Sequence, residues 1–334
     1  MDRYARQSIF GPIGPHGQAK IAAARITIIG MGALGSVAAN NMVRAGVGFV
    51  RIIDRDYVEL TNLQRQLLYN EADVAAELPK VVAASQHLHA INHEITLDPI
   101  IADVNAFNIE GFIKDVDLVL DATDNFTIRH LINEACNKHQ VPWIYCAALG
   151  AEGMTLNIMQ QAGSPCLRCF VGAQHNSGHS CSTFGVINMI TNTMASIQTA
   201  EALKFLIGEP LRTGLLAVDL WDHQFHQIPL QQNPDCPVCV HHRYEGLEHP
   251  HASVTTSLCG TDSIQVMPTP PRSIDFAVLQ QGLQPVGDVQ VTPFYLKLTV
   301  TPYQVTLFQD GRALFKGAKD ENHARSLYTE FFGA

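Results

Sequence analysis

The fold is decided by residues 25–35, which read RITIIGMGALG. The first five of these residues predict a buried strand, and the residues from Ser36 to Ala45 predict a helix directly after Gly35. A strand, a glycine-rich turn and a helix in this order can bind phosphate, because the helix N-terminus offers unpaired backbone N–H groups. The sequence therefore predicts nucleotide binding at this turn.

The three glycines have separate roles in this prediction. Gly30 permits a tight turn, Gly32 allows a phosphate to approach the backbone, and Gly35 allows close packing of helix and strand. A second predicted strand, Phe49 to Ile53, ends at Asp54. A carboxylate at this distance beyond the glycines usually binds the ribose of a dinucleotide. Taken alone, the turn and Asp54 favour an oxidoreductase that uses NAD or FAD.

Cationic side chains beyond the second strand argue against that first interpretation. Asn62 and Arg65 lie just after the strand, and Lys80 opens the next predicted helix. Such cations suit phosphoryl or nucleotidyl transfer, because charge on the phosphate oxygens and the departing pyrophosphate must be stabilised. Asp124 follows the apolar strand predicted at 118–122, at a sheet edge where a carboxylate can hold Mg²⁺. The sequence therefore favours chemistry at the phosphates of a nucleotide.

Together these motifs resemble those of one known family, the ThiF/MoeB-type adenylyltransferases (HesA/MoeB/ThiF family), which are prokaryotic relatives of the ubiquitin-activating enzymes. The resemblance covers roughly residues 1 to 245. The combination of motifs is far more specific than any one of them. The matching stretches are RYARQ at 3–7, the glycine turn, DRD at 54–56, NLQRQ at 62–66, PKV at 79–81, TDN at 123–125 and two Cys-x-x-Cys pairs.

The resemblance implies roles for the residues of the site. Asp54 would bind the ribose of ATP, and Asp124 would serve Mg²⁺ and the reacting carboxylate. Asn62, Arg65 and Lys80 would contact the phosphates. The full set expected to bind ATP and Mg²⁺ is Gly30, Gly32, Gly35, Asp54, Asp56, Asn62, Arg65, Gln66, Lys80, Asp124 and Asn125.

The resemblance also implies the substrate and the partners. The enzyme would adenylate the C-terminal Gly-Gly carboxylate of a small ubiquitin-like sulfur carrier protein of the ThiS or MoaD type, giving an acyl-adenylate and pyrophosphate. Sulfur transfer in thiamin, molybdopterin or tRNA thiolation pathways would follow, with a sulfurtransferase or cysteine desulfurase as the expected sulfur donor. Arg6 would reach the active site of a partner subunit, so the resemblance implies a homodimer.

Two Cys-x-x-Cys pairs give a second strong signal. Cys166 and Cys169 form the first pair, and Cys236 and Cys239 form the second. Two such pairs predict a closed, structural Zn²⁺ site with four thiolate ligands. Two disulfides are disfavoured, because the chain begins with polar and charged residues in place of a signal peptide. The metal would join a distant segment to the loop after residue 160, so its loss should loosen the fold.

Cys181 differs from the remaining cysteines because it lies in a small polar stretch, NSGHSCST at 176–183. This composition predicts a mobile loop over the site. In the family, the cysteine of this crossing segment is a covalent sulfur or acyl relay in some members and dispensable in others, so both roles stay open. Cys136 and Cys146 are predicted to be buried small hydrophobes, and for Cys259 a structural role is favoured over sulfur handling.

Composition agrees with an intracellular enzyme. A hydrophobic content of 46% with 16% charged residues allows a large core. No apolar run approaches the roughly 18 residues of a membrane span. The net charge of −9 disfavours a general nucleic-acid-binding surface. We therefore expect a cytoplasmic protein that binds neither membranes nor nucleic acid.

Strand-like and helix-like patterns alternate from Arg25 to about Ala148, which predicts an α/β fold with a doubly wound, Rossmann-like, mostly parallel sheet. Short connections beyond Met154 predict antiparallel strands that extend this sheet and form the face for a protein substrate. The predicted domains are an ATP-binding adenylation domain with the Cys₄ site at 1–245, a linker at 246–256, and a small α+β domain at 257–334.

Two other classes of protein remain open. A dinucleotide-dependent oxidoreductase would use the same glycines but would leave Arg65, Lys80 and Cys181 without a role, and stabilisation by NAD without an effect of ATP would favour it. A non-catalytic scaffold for a ubiquitin-like partner would have no need to keep Arg65, Lys80 and Asp124 together.

Overall fold

The computed structural model of the protein describes residues 3–172, 185–248, 254–257, 263–268 and 272–333. The chain divides into two compact units, Met1–Pro250 and His251–Ala334. Each unit has its own sheet and its own hydrophobic core.

The first unit is built on a mixed sheet. Its strands are β1 (Arg25–Ile29), β2 (Phe49–Asp54), β3 (Thr96–Ile101), β4 (Leu118–Asp121), β5 (Trp143–Leu149), β6 (Glu152–Ile158), β7 (Leu215–Asp219) and β8 (Gln224–Ile228). The order across the sheet is β3-β2-β1-β4-β5-β6-β7-β8. The strands from β3 to β5 in this order are parallel, and β6, β7 and β8 continue the sheet antiparallel.

Helices cover both faces of the parallel part. They are α1 (Ala5–Ile9), α2 (Gly14–Ala23), α3 (Ala33–Ala45), α4 (Glu71–Ala75), α5 (Lys80–Ile91), α6 (Ile109–Ile113), α7 (Phe126–His139), α8 (Leu167–Phe170), α9 (Asn188–Ile207) and α10 (Glu245–Glu248). Residues of α3, α5 and α9 share one core with the sheet, and residues of α6, α7 and α8 share the other. The predicted doubly wound fold, extended by antiparallel strands, is confirmed.

The helix after the glycine turn begins one turn earlier than predicted. α3 starts at Ala33 with Gly32 as its N-cap, so Gly35 lies inside the helix. Ala33 and Leu34 are good helix formers and extend the helix toward the strand. A glycine is needed at position 35 because an added Cβ would collide with the carbonyl of Gly30. The prediction of a helix that starts at Ser36 is therefore wrong.

The second unit is a small α+β unit. Its strands are β9 (Val254–Ser257), β10 (Ser263–Met267), β11 (Asp288–Val291), β12 (Tyr295–Val300), β13 (Tyr303–Phe308) and β14 (Ala313–Lys316), and its helices are α11 (Phe276–Leu283) and α12 (Glu321–Phe332). The sheet order is β11-β12-β13-β14-β10-β9, with antiparallel pairs. Its core packs Leu296, Val305 and Phe315 against Leu327 and Tyr328 of α12.

None of the helices in the described ranges is both long enough and apolar enough to cross a membrane.

Candidate active site

The glycine turn lies between β1 and α3, where the strand order of the sheet reverses. Gly30 has a φ of +94°, and an added Cβ would lie 2.6 Å from the carbonyl oxygen of Ala122, so a side chain does not fit. At Gly32 the nearest neighbour of an added Cβ would be Gln66 Nε2, at 3.9 Å. The space beside Gly32 is therefore open, as an anion at the N-terminus of α3 requires.

Two partly or fully buried side chains hold this turn in place. Asp54 accepts the Met31 N–H on Oδ2 at 2.6 Å and the Asp56 N–H on Oδ1 at 2.7 Å. The Tyr69 hydroxyl donates to the Met31 carbonyl at 2.7 Å. Burial raises the pKa of Asp54, although Lys80 acts in the opposite direction. Tyr69 is a residue that sequence reasoning missed, since no motif links it to the turn.

Lys80 is brought to the same place by a short backbone pairing. Tyr57 and Pro79 form an antiparallel bridge, and the Lys80 N–H donates to the Asp56 carbonyl at 2.9 Å. Lys80 Nζ then lies 3.2 Å from Asp56 Oδ2, with only 8% of the lysine side chain exposed. Burial lowers the pKa of Lys80, but the charges of Asp56, Asp54 and Asp124 outweigh burial, so the pKa is raised. The neighbouring carboxylates therefore favour the charged ammonium form of Lys80.

Asn62 ends the single-turn helix Leu60–Asn62, and Arg65 and Gln66 lie in the turn that follows it. The Asn62 amide oxygen accepts the N–H of Glu59, the residue before that helix, at 3.1 Å. Arg65 Nη1 donates to the Thr61 carbonyl at 3.0 Å. Gln66 is buried next to Gly32, and its Oε1 has no hydrogen-bond partner within the described residues. A buried polar atom of this kind can accept a hydrogen bond from a bound group or from an ordered water.

Asp124 stands between β4 and α7 and is exposed. The Asn125 side chain caps α7 by accepting the Ile128 N–H at 3.0 Å, and its Nδ2 donates to Asp124 Oδ1 at 3.4 Å. The negative charge of Asp124 contributes to the raised pKa of Lys80. The structure thus brings Asp124 and Lys80 within electrostatic range of each other, on the open side of the sheet edge.

Arg6 is not part of this cluster in its own chain. It is exposed on α1, and the neighbouring Gln7 donates to the carbonyl of Ala45 at 2.9 Å. Ala45 is the last residue of the 13-residue helix α3, whose first residue is at the glycine turn. At 1.5 Å per residue, α1 lies about 20 Å from the turn, which is beyond the reach of an arginine side chain.

The four cysteines of the two pairs form one cluster of free thiols. The Sγ–Sγ distances are 3.7 Å for Cys166–Cys236, 3.5 Å for Cys169–Cys239 and 4.0 Å for Cys166–Cys169. Four sulfurs at about 2.3 Å from a tetrahedral metal are about 3.8 Å apart. The cluster therefore has the dimensions of a tetrathiolate Zn²⁺ site.

Hydrogen-bond donors surround these sulfurs. Asn133 Nδ2 of α7 lies 3.6 Å from Cys166 Sγ, and the Asn233 N–H donates to Cys169 Sγ at 3.5 Å. The hydrogen-bonded contact with Cys166 lowers the pKa of Cys169 to about 5. Donors of this kind orient and stabilise thiolate ligands around a metal. The donor set suits a soft, tetrahedral cation, and no ligand position is left for substrate.

Cys181 and Cys259 lie outside the described residues. Cys136 and Cys146 are fully buried, as predicted, and burial raises the pKa of both thiols. Beyond the segment that contains Cys181, the chain returns to the site: Gly150 pairs with Val186, whose carbonyl accepts from Gln64 Nε2 at 3.3 Å.

These features define a nucleotide-binding α/β protein in which a glycine turn, a buried lysine and several carboxylates meet at the switch point of the sheet. The chain belongs to the ThiF family, whose model matches residues 4–238. The resemblance seen in the motifs is confirmed.

Curated relatives cover the chain to different extents. The chain is 37% identical over 334 residues to the "Sulfur carrier protein ThiS adenylyltransferase" of Bacillus subtilis, covering 99% of both chains. It is 35% identical over 241 residues to the "Molybdopterin-synthase adenylyltransferase" of Escherichia coli, covering 72% of this chain and 96% of that relative. The first relative therefore matches both units, whereas the second matches about the length of the first unit.

Solved structures of the E. coli protein MccB share the fold. The structure of MccB with ATP superposes with a TM-score of 0.62 at 22% identity, over 71% of this chain and 74% of MccB. At this identity the likeness concerns the fold alone.

Proposed function

We propose that the protein adenylates the C-terminal Gly-Gly carboxylate of a ubiquitin-like sulfur carrier protein with Mg·ATP. A carboxylate oxygen forms a bond to the α-phosphorus, the bond between the α-phosphorus and the bridging oxygen breaks, and pyrophosphate leaves. The observation that carries this proposal is the buried Lys80 at the glycine turn, within range of Asp54, Asp56 and Asp124. The family and the names of the relatives support the same reaction.

The nucleotide is proposed to bind with its phosphates at the N-terminus of α3. Gly32 leaves room for them, and the Asn62 amide, Arg65 and Lys80 supply donors and positive charge. Asp54 is proposed to receive the ribose, and Gln66 and Asn125 are proposed to line the nucleotide site. The carboxylate of Asp124 would hold Mg²⁺, which neutralises charge on the phosphate oxygens.

The reaction needs no general base, because a peptide carboxylate is already ionised at neutral pH. What the enzyme must do is align two anions and offset their repulsion. Lys80 suits this task because its raised pKa keeps it charged. Arg65 would stabilise the departing pyrophosphate from its position on the neighbouring turn.

Arg6 is proposed to serve the active site of a second subunit in a homodimer. The distance from α1 to the glycine turn leaves Arg6 without a role in its own site. Ile9 and Phe10, next to Arg6, are 72% and 60% exposed. Large apolar side chains exposed beside a functional cation are typical of an interface between subunits.

The carrier is proposed to dock on the uncovered face of β6, β7 and β8. Met154, Ala217 and His226 form one cross-strand row on this face, and Met154 and Ile228 are 40% and 41% exposed. The opposite face of β6 packs on α9 through Gly153. We propose a ThiS-type carrier, since the relative named for ThiS matches both units of the chain.

The four-cysteine cluster is proposed to hold a structural Zn²⁺, on the basis of its sulfur spacing and its closed donor set. The reaction is placed in the cytoplasm, where thiols stay reduced. Sulfur would come from a sulfurtransferase or cysteine desulfurase. Cys181 is proposed as a residue of the crossing segment, with both the relay and the spectator role open to test by substitution.

The test is ATP–pyrophosphate exchange with purified protein and each candidate carrier. We expect exchange that depends on the terminal glycine of one carrier. Asp124→Asn should abolish it, whereas Asp288→Asn, an exposed aspartate of β11, should not. Wild-type exchange in Asp124→Asn would remove Asp124 from the mechanism. Stabilisation by NAD with no exchange would favour an oxidoreductase, and ATP binding with no exchange would favour a scaffold.

A further inference from the structure

A buried ion pair lies directly beneath the loop that carries Asp124. Asp121, the last residue of β4, is 0% exposed, and Arg129 of α7 is 5% exposed. Arg129 Nε donates to Asp121 Oδ2 at 3.1 Å. A buried ion pair rarely stabilises a fold more than a well-packed apolar pair would. Stability alone therefore does not explain why a buried ion pair lies at this position.

The two residues of the pair form hydrogen bonds with the backbone N–H, the hydroxyl and the carbonyl of Thr123, the residue before Asp124. Asp121 Oδ1 accepts the Thr123 N–H at 2.9 Å and its hydroxyl at 2.7 Å. Arg129 Nη2 donates to the Thr123 carbonyl, which belongs to the peptide bond that joins Thr123 to Asp124. Asp121 thus fixes the peptide before Thr123 together with the Thr123 side chain, and Arg129 fixes the carbonyl of the peptide that leads to Asp124. On the far side of Asp124, Asn125 is fixed as the cap of α7.

A third element completes this arrangement. The β4–β5 ladder extends only to Leu120 and Ile144. At this end, Gln198 Nε2 of α9 donates to the carbonyls of Asp121 and Ile144 at 2.8 and 2.9 Å. Two strands and two helices therefore hold the backbone that leads to Asp124.

Burial and the charge of the partner act in opposite directions on the pKa of each member of the pair. Burial lowers the pKa of Arg129, but Asp121 outweighs burial and the pKa is raised. Burial raises the pKa of Asp121, whereas Arg129 and Thr123 oppose the shift. A fixed guanidinium is more rigid than an ammonium group at such a place, because its planar fork binds two acceptors at once.

We propose that Asp121 and Arg129 are positioning residues for the adenylation reaction: they fix the Thr123–Asp124 peptide so that the Asp124 carboxylate faces the metal and the α-phosphate. This inference rests on the proposed role of Asp124. Because the pair itself is buried, it acts on the reaction through Asp124 and not by contact with the nucleotide. Loss of the pair should therefore reduce kcat and leave the KM for ATP nearly unchanged.

The experiment compares single and double substitutions by carrier-dependent exchange and thermal unfolding. Arg129→Met should lower both stability and kcat, because it leaves a buried carboxylate unpaired. The double variant Asp121→Leu/Arg129→Met removes both charges and should recover stability. Its kcat should stay on the order of 100-fold below wild type, since small misplacement of a reacting group has effects of this size. The double variant should also need a higher Mg²⁺ concentration than wild type to reach half of its maximal exchange rate.

Two further variants keep the test decisive. Arg129→Lys retains one donor and should recover part of kcat. Arg51→Met removes an arginine that forms ion pairs with Asp98 and Asp115. Asp115 precedes the first residue of β4, at the end of the strand away from Asp124, so this variant should leave kcat unchanged. A stable double variant with wild-type kcat and Mg²⁺ dependence, alongside an inactive Asp124→Asn, would overturn the positioning role and keep the proposed function. Wild-type exchange in Asp124→Asn would overturn the role of Asp124 itself.

Discussion

At the scale of single residues, the site consists of charges withdrawn from water and arranged to compensate each other. Lys80 is nearly buried, yet it remains protonated because Asp56 and Asp54 are close. Both carboxylate oxygens of Asp54 accept backbone hydrogen bonds, one from Met31 in the glycine turn and one from Asp56. A polyphosphate bound as proposed would meet a lysine whose charge is already held by neighbouring carboxylates.

We expect Lys80→Met to lower exchange by on the order of 100-fold or more, because charge at the phosphates is no longer offset. Wild type should also be more stable than the variant by an amount that is constant between about pH 7 and pH 9. The raised pKa of Lys80 means that its contribution is complete below the unfolded value and is lost only as pH rises through the higher folded value.

On acidification, the difference in the free energy of unfolding between wild type and Lys80→Met should become smaller. Asp54 has a raised pKa, so in the variant it takes up a proton early and sheds its unpaired charge. Urea unfolding at three pH values measures the effect, with Lys114→Met at the exposed end of α6 as the control. A difference that fell between about pH 7 and pH 9 would mean that Lys80 loses its proton there.

Sequence reasoning reached only part of the site at this scale. Asp54, Lys80 and Asp124 could be named because each follows a strand or opens a helix in a recognisable order. Tyr69 and Arg129 could not, because their contacts depend on how distant segments pack.

At the scale of elements, the glycine turn shows how little freedom the backbone has between β1 and α3. Gly35 faces the carbonyl of Gly30, so the first turn of the helix touches the strand end directly. The sequence pattern identified both elements. It misplaced the helix start, because a glycine inside a helix is unusual unless close packing requires it.

Short elements were the ones that sequence patterns missed. β11 and β14 have four residues each, too few to show an alternation of apolar and polar side chains.

Gly35→Ala should cost on the order of 2 kcal/mol of stability and weaken ATP binding, because the strand and helix must separate. Gly111→Ala is the matched control. It lies in α6, where an added Cβ has nothing within 4 Å, and should gain about 0.5–1 kcal/mol through reduced backbone entropy. Thermal unfolding and ATP titration measure both effects. Unchanged ATP affinity in Gly35→Ala would contradict the close approach.

Cysteine substitution should act on α7 and α8 and not on the second unit. We expect Cys236→Ser to release the metal and to reduce amide protection where Asn133 and α8 meet the cluster. Amides of β12 and β13 should keep their protection. Hydrogen exchange with metal analysis provides the measurement, and Cys136→Ala, outside the cluster, should retain full metal content. Equal loss of protection in both units would contradict a local role.

At the scale of the whole molecule, the proposed homodimer places an essential cation on a different chain from the rest of its site. Mixed dimers of Arg6→Ala and Asp124→Ala should therefore contain one complete site. Random mixing should restore exchange to about a quarter of the wild-type value, although each variant alone is inactive.

The control for this mixing experiment is the pair Lys80→Met and Asp124→Ala. Both changes lie in the site of their own chain, so no mixed dimer is complete and no activity should return. Activity in Arg6→Ala alone, or no recovery after mixing despite a measured mixed dimer, would contradict the role of Arg6 across subunits.

The cysteine cluster also sets an order of events during synthesis. Cys166 and Cys236 are 70 positions apart, as are Cys169 and Cys239, with α9, β7 and β8 between the pairs. At about 5–20 residues per second, the ribosome needs roughly 4–14 s to make this interval. The first two thiols therefore wait at least this long for the second pair, and the cluster can close only when nearly all of the first unit has been made.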